Sequence, residues 1–103
     1  MVDPSLDPVR LEAVVRGRVQ GVGYRYFVAE KAAERGIVGW VANELDGSVA
    51  CVVEGPRRDL ESFLVDLGRG PLGARVEGVR TIWGPAAGGF DHFGIRSGAH
   101  RGD

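Results

Sequence analysis

The sequence is poor in residues that cross-link a chain or ligate metals: one cysteine and two histidines in 103 positions. A lone thiol closes no internal disulfide and fits a reducing compartment, so the cytoplasm is the expected location. His92 and His100 are too few, and too poorly placed among carboxylates, to build a metal site, so neither metal nor other cofactor is expected. No apolar run approaches the ~20 residues of a membrane span, and Met1–Ser5 lacks a signal-peptide pattern, which argues against a membrane role. Excess charge is also absent. Thirteen Lys and Arg stand against 14 Asp and Glu, a net charge of −1, so the basic excess that a general nucleic-acid binder needs is missing. No internal repeat, linker or low-complexity block is present.

What remains is enough for one domain, residues 1–103, with a single core. The 17 glycines suggest many tight turns. Residues 1–9 carry prolines and aspartates without periodicity and are expected to form a loose arm, as is the tail over residues 97–103. Leu11 to Arg18 alternates, with Leu11, Ala13 and Val15 on one face, and reads as a half-buried strand. Tyr24 to Arg35 has helical spacing, closed by Gly36 as a C-terminal cap. Val38–Glu44 and Ser48–Glu54 read as strands joined across Asp46-Gly47, a strong hairpin signal. Pro56 is placed at the first position of a helix whose core face is Leu60, Phe63, Leu64 and Leu67, ending at Gly68 or Gly70. Ala74–Trp83 and Phe90–Arg96 are two more strands around a turn-rich stretch at 84–89. This βαββαβ order, with one extra C-terminal strand, fits an α+β ferredoxin-like sandwich, two helices on one face of an antiparallel sheet.

The most informative stretch is Gly17-Arg18-Val19-Gln20-Gly21-Val22-Gly23-Tyr24-Arg25, where a strand passes into a helix through three glycines and no acid. Such a turn points backbone N–H groups at one spot and the helix dipole adds partial positive charge. Arg25 in the first helical turn is unfavourable by roughly 0.3–1 kcal/mol unless an anion shares the site. Arg16, Arg18 and Arg25 bracket the turn, so a local positive field can exist on a nearly neutral chain. Glycine turns of this kind mostly bind nothing; the arginine and the missing acids tilt this one toward a phosphate or carboxylate. Asn43, before a hairpin, reads on its own as a turn residue.

The string Gly17-x-Val19-x-Gly21-Val22-x-Tyr24-Arg25 resembles a signature of the acylphosphatase family. Gly39-Trp40-Val41-Ala42-Asn43, followed by Asp46-Gly47-Ser48-Val49, resembles the family's second signature. The resemblance implies the same ferredoxin-like fold and metal-independent hydrolysis of acyl phosphates to a carboxylate and inorganic phosphate. It makes Arg25 and Asn43 the catalytic pair, Asn43 orienting the attacking water. The phosphoryl group would lie in a backbone N–H cradle formed by Gln20, Gly21, Val22, Gly23, Tyr24 and Arg25, where the Arg25 fork can take two oxygens at once. Inorganic phosphate is then product and inhibitor, and the chain a free-standing monomer. Where this sequence has Gly23 the family often has an aromatic, and where it has Tyr24, phenylalanine; Gly23 is expected to loosen the loop.

One decoy is present. Cys51 and Arg57 have the Cys-x5-Arg spacing of thiol phosphatases, but Glu54 would repel phosphate and Pro56 has no N–H to give. Cys51 alternates with valines and reads as a small buried hydrophobe. Trp40 and Trp83 read as packing residues and the stretch Leu72–Val76 as a link into a strand. Two other functions share the element order. A non-catalytic anion-binding regulatory module would release no phosphate from an acyl phosphate. An RNA-binding module would need aromatics in the central strands, and Leu11–Arg18 and Ser48–Glu54 contain none.

Overall fold

The computed structural model describes residues 3–97. A long strand β1 (Pro8–Arg18) passes through the glycine turn into helix α1 (Tyr24–Arg35). Then come β2 (Val38–Asn43), β3 (Val49–Pro56), α2 (Arg57–Arg69), β4 (Arg75–Pro85) and β5 (Phe93–Arg96). The strands form one sheet in the order β4-β1-β3-β2-β5. One face carries both helices: Tyr24, Val28 and Ala32 of α1 and Leu60, Phe63 and Leu67 of α2 close a core with Leu11, Val15, Val41, Val49, Cys51 and Val53. Each large apolar side chain buried there contributes roughly 1.5–3 kcal/mol, and the alternation of β1 and β3 supplies the matching face.

The sheet is mixed rather than antiparallel throughout. β1, β3, β2 and β4 pair antiparallel, whereas β5 lies parallel to β2. The cause is the chain path. β5 reverses direction relative to β4, as after any turn, but lands on the opposite edge of the sheet beside β2. The expected loose arm is ordered from Asp3 onward. Asp3 caps a 3₁₀ turn (Pro4–Leu6), accepting from the Ser5 N–H at 3.0 Å, and its carboxylate meets Arg58 at 2.9 Å. β1 then begins at Pro8, opposite Pro56. Two prolines hide this order from periodicity, because the pairing comes from β3 and not from local pattern. Pro56 precedes α2 as its cap residue, and α2 runs through Gly68 to a cap at Gly70, whose N–H donates to the Asp66 carbonyl at 3.0 Å. The tail beyond Ser97, with His100, lies outside the described residues.

Two features of the sheet set the stage for a site. Pairing of β1 with β3 stops at Val15↔Val49, while β1 continues along β4 past a bulge at Gly17 as far as Arg18↔Arg75. The strand therefore peels away from β3 just where the glycine run begins, opening a gap beside the β2–β3 hairpin. Asn43, the last residue of β2, faces that gap region from opposite Val49.

Candidate active site

The glycine run bends sharply. Gly21 and Gly23 have φ of 73° and 76°, left-handed conformations open to glycine without strain, and neither has an atom near where a Cβ would sit. Gly23 is the N-cap of α1, with no side chain capping the helix and no acid in its first turn. The first intrahelical bond is Phe27 N–H to the Gly23 carbonyl, at 3.1 Å. Helix geometry gives the preceding N–H groups no intrahelical acceptor, and they point, with the positive dipole end, out of the helix.

Gly21, Gly23, Tyr24 and Arg25 from this turn and Asn43 from β2 line a single hollow of about 150 Å³, together with Val19 and Tyr26. Among the described residues, Arg25 is the one charged side chain in that lining. Its Nη1 donates to the Arg96 carbonyl at 2.9 Å, so the end of β5 helps hold the guanidinium over the helix terminus. Asn43 is buried, only 6 % exposed. Larger hollows of about 260 and 410 Å³ open beside Arg16. Carboxylates line both, and Arg16 already pairs with Asp46 at 3.0 Å. An anion has little reason to enter either, so Arg16 belongs to the hairpin and not to the Arg25 hollow.

The chain matches the acylphosphatase family profile over residues 11–95. The chain belongs to the acylphosphatase family. It is 54 % identical to an acylphosphatase of Thermus thermophilus over 77 % of this chain and 90 % of that one. It is 46 % identical to an acylphosphatase of Salinibacter ruber over 84 % and 92 %. The crystal structure of an acylphosphatase from Bacillus subtilis superposes with a TM-score of 0.83 at 36 % identity, covering 85 % of this chain and 98 % of that one. The ferredoxin-like fold is therefore that of an acylphosphatase, and acyl phosphate hydrolysis is its reaction.

The remaining expected residues divide by what their side chains do. Tyr24 is a core residue: its hydroxyl donates to the Leu67 carbonyl at 2.7 Å, and burial pushes its pKa up. Only its backbone can serve an anion. Val22 packs against the core and anchors the loop from below. Neither Val22 nor Gln20 lines the hollow. The Gln20 amide instead donates to the Glu44 and Ser48 carbonyls, at 2.8 and 2.9 Å. Cys51 is fully enclosed in the core, with burial pushing its thiol up, while Arg57 lies over the Trp83 ring at 4.2 Å. The Cys-x5-Arg spacing thus brings no pair together. Trp40 carries the Arg96 guanidinium over its face at 4.5 Å, and His92 is exposed beside Asp91. Among the described residues, no group of three or more His, Cys, Asp and Glu could hold a metal ion, and no helix is long and apolar enough to cross a membrane.

Three contributors were not singled out from the sequence. Val19 and Tyr26 line the hollow, and Tyr26 could have been suspected from its place beside Arg25 in the first turn. The Arg96 carbonyl that receives Arg25 could not, because a main-chain oxygen leaves no trace in residue identity.

Proposed function

We propose that acyl phosphate hydrolysis in this chain runs on one guanidinium, one amide and the N–H groups at the start of α1. The phosphoryl group sits in the hollow with its oxygens toward the turn between Gln20 and Arg25, and the Arg25 fork takes two of them. Asn43, from the facing strand end, holds a water by donating to it and accepting from it without becoming charged. The water oxygen bonds to phosphorus as the bond from phosphorus to the acyl oxygen breaks. The carboxylate leaves with the electron pair, and the water's proton passes to a phosphate oxygen. Because the carboxylate is already a good leaving group, positioning and charge stabilisation suffice. No metal and no covalent nucleophile are needed in this scheme, and inorganic phosphate inhibits by filling the same place.

The observation that carries this reading is the single hollow that joins an acid-free helix N-terminus, Arg25 and Asn43. Titration of the ¹⁵N-labelled chain with inorganic phosphate tests it: amide shifts should concentrate on residues 20–26. Shifts concentrated instead around Arg16, Asp46 and Ser48 would place the anion site elsewhere. In parallel, EDTA should leave the rate on acetyl phosphate unchanged. A substantial loss would mean a metal takes part. The buried lone thiol supports a cytoplasmic location, and we take the enzyme as a monomer; localisation of a tagged chain and size-exclusion chromatography check the two.

A further inference from the structure

We infer that the Gln20 side chain is a positioning residue: it clamps the β2–β3 hairpin, and Asn43 with it, to the loop that holds the phosphoryl group. The inference rests on the reading that Asn43 aims the water. An in-line attack needs two things held in fixed relation, the phosphoryl group on the glycine turn and the water on Asn43. They sit on separate pieces of chain, and the sheet does not join them there. The β1–β3 ladder ends at Val15↔Val49, and the next residues of β1 turn aside along β4.

Gln20 spans that gap. Its Nε2 carries two hydrogens, and two main-chain carbonyls take them, Glu44 at 2.8 Å and Ser48 at 2.9 Å. Glu44 directly follows Asn43, and Ser48 directly precedes Val49, the cross-strand partner of Asn43. One amide therefore grips both strands of the hairpin at the level next to the proposed water site. The gripped carbonyls belong to a piece already made rigid. Glu44 N–H donates to the Ser48 carbonyl at 2.9 Å, and the Asp46 carboxylate accepts from the Ser48 N–H at 3.0 Å and the Ser48 hydroxyl at 2.6 Å. With the hairpin stiff in itself, what remains to be set is its position relative to the glycine turn. A second tie, Arg16 to Asp46, starts one bulge earlier and joins two side chains each more than half exposed; such pairs restrain little. The Gln20 bonds are partly buried, where exchange with water is least able to replace them.

The chemistry also selects the residue. Glutamate at position 20 offers acceptors to two carbonyls and repels them. Asparagine is one methylene short, and methionine has the length but no donor. Loss of the clamp should shift Asn43 against the phosphoryl group without removing any phosphate contact. A misplacement of about 1 Å in a reacting geometry can cost on the order of 100-fold.

The test is a double-mutant cycle on folded protein, with thermal melts for every variant and rates given per folded molecule. Gln20→Met should lower kcat about 10- to 100-fold on acetyl phosphate while KM and the inhibition constant of inorganic phosphate move less than about threefold. Gln20→Glu and Gln20→Asn should not restore it, and Gln20→Ala serves should the methionine variant fold poorly. In an Asn43→Ala background, Gln20→Met should cost less than about threefold further, because the group it positions is gone. Equal losses in both backgrounds would overturn the inference in favour of a general structural role. A loss falling on phosphate inhibition alone would make Gln20 a ligand of the anion instead. If Asn43→Ala by itself keeps the wild-type rate, the water-aiming reading fails, and the clamp's purpose with it.

Discussion

The protein has two glycine-rich turns in which backbone N–H groups and an arginine come together, and they differ in what meets them. At the β4–β5 connection the Ala87 and Gly88 N–H groups donate to the Glu54 carboxylate, at 2.9 and 3.0 Å, and Arg10 adds its guanidinium at 3.1 Å. Here the chain supplies its own anion, sealed at 4 % exposure on the sheet. At the start of α1 the same kinds of group, N–H donors and an arginine, surround a hollow that no carboxylate of the described residues lines. The donors do not differ in type. Among the described residues, what differs is whether a carboxylate lines the turn, and we propose that this separates a strap held in place from a site left for a substrate's phosphate.

The largest effect should come from taking the arginine out of the open turn. Arg25→Ala should lower kcat/KM on the order of 100- to 1000-fold and weaken phosphate inhibition, the usual cost of losing a fixed charge at a developing oxyanion. Arg25→Lys should recover little, since an ammonium lacks the two-point fork. Retention of a large share of activity, measured as phosphate release from acetyl phosphate, would mean that the two turns do not differ in the way proposed. Asn43→Ala should act on kcat and leave phosphate inhibition nearly unchanged, because the amide holds water and not the phosphoryl group.

The comparison can also be broken deliberately, by giving the open turn an acid of its own. Gly23→Asp places a carboxylate at the N-cap of α1, where it can accept from the N–H groups of the first turn as Glu54 does from Ala87 and Gly88. Gly23→Asn is the neutral control, of nearly the same shape and tolerant of the left-handed φ of 76°. The aspartate variant should be slower than the asparagine variant by about tenfold or more in kcat/KM, since a like charge beside a phosphate is repelled. Equal rates for the two would show that the missing acid is not what keeps the site open.

Much of this was legible in the sequence, and the limits are physical. The faces of β1 and β3, the helix stripes and the Asp46-Gly47 hairpin follow from local periodicity and turn chemistry, and all stand in the structure. The joining of Arg25 and Asn43 around one hollow was suggested by two signature blocks. The glycines of those blocks could not be sorted by purpose, however. A Cβ at Gly17 would lie 2.1 Å from the Arg75 carbonyl oxygen, and one at Gly39 1.9 Å from that of Val52. Both glycines are there for close backbone packing and not for an anion. Glu54 read as a repellent beside a false phosphatase motif, and only the fold shows it latched to a segment more than thirty residues away. Gln20 read as one more backbone donor because side-chain bonds across 24 and 28 residues leave no local pattern. The direction of β5 was hidden for the same reason: element order does not say on which edge a strand lands.

The smallest expected effect on catalysis, and the sharpest contrast, comes from emptying the closed turn. Glu54→Gln keeps the shape and one acceptor oxygen but removes the charge. The Ala87 N–H chiefly, with the Gly88 N–H and Arg10, holds the Glu54 pKa below its ordinary value against the opposing effect of burial. A carboxylate with a depressed pKa in the folded state stabilises it above the ordinary carboxylate range, and that stabilisation is lost as the pH falls through the lowered value. Glu54→Gln should therefore lower the melting temperature at neutral pH, by roughly 4–15 °C if one or two kcal/mol of charge-assisted bonding is lost. The gap from wild type should close on acidification, where Glu54 becomes protonated and resembles glutamine. Activity per folded molecule should stay within about twofold, because neither Glu54 nor the strap it holds lines the Arg25 hollow. Melting curves and acetyl phosphate turnover across pH 3–8, limited to conditions where both proteins remain folded, decide it. A gap that widened toward acid would reverse the sign assigned to Glu54. A collapse of turnover in folded Glu54→Gln would mean that the two turns are coupled, and that the strap serves the site as well as the sheet.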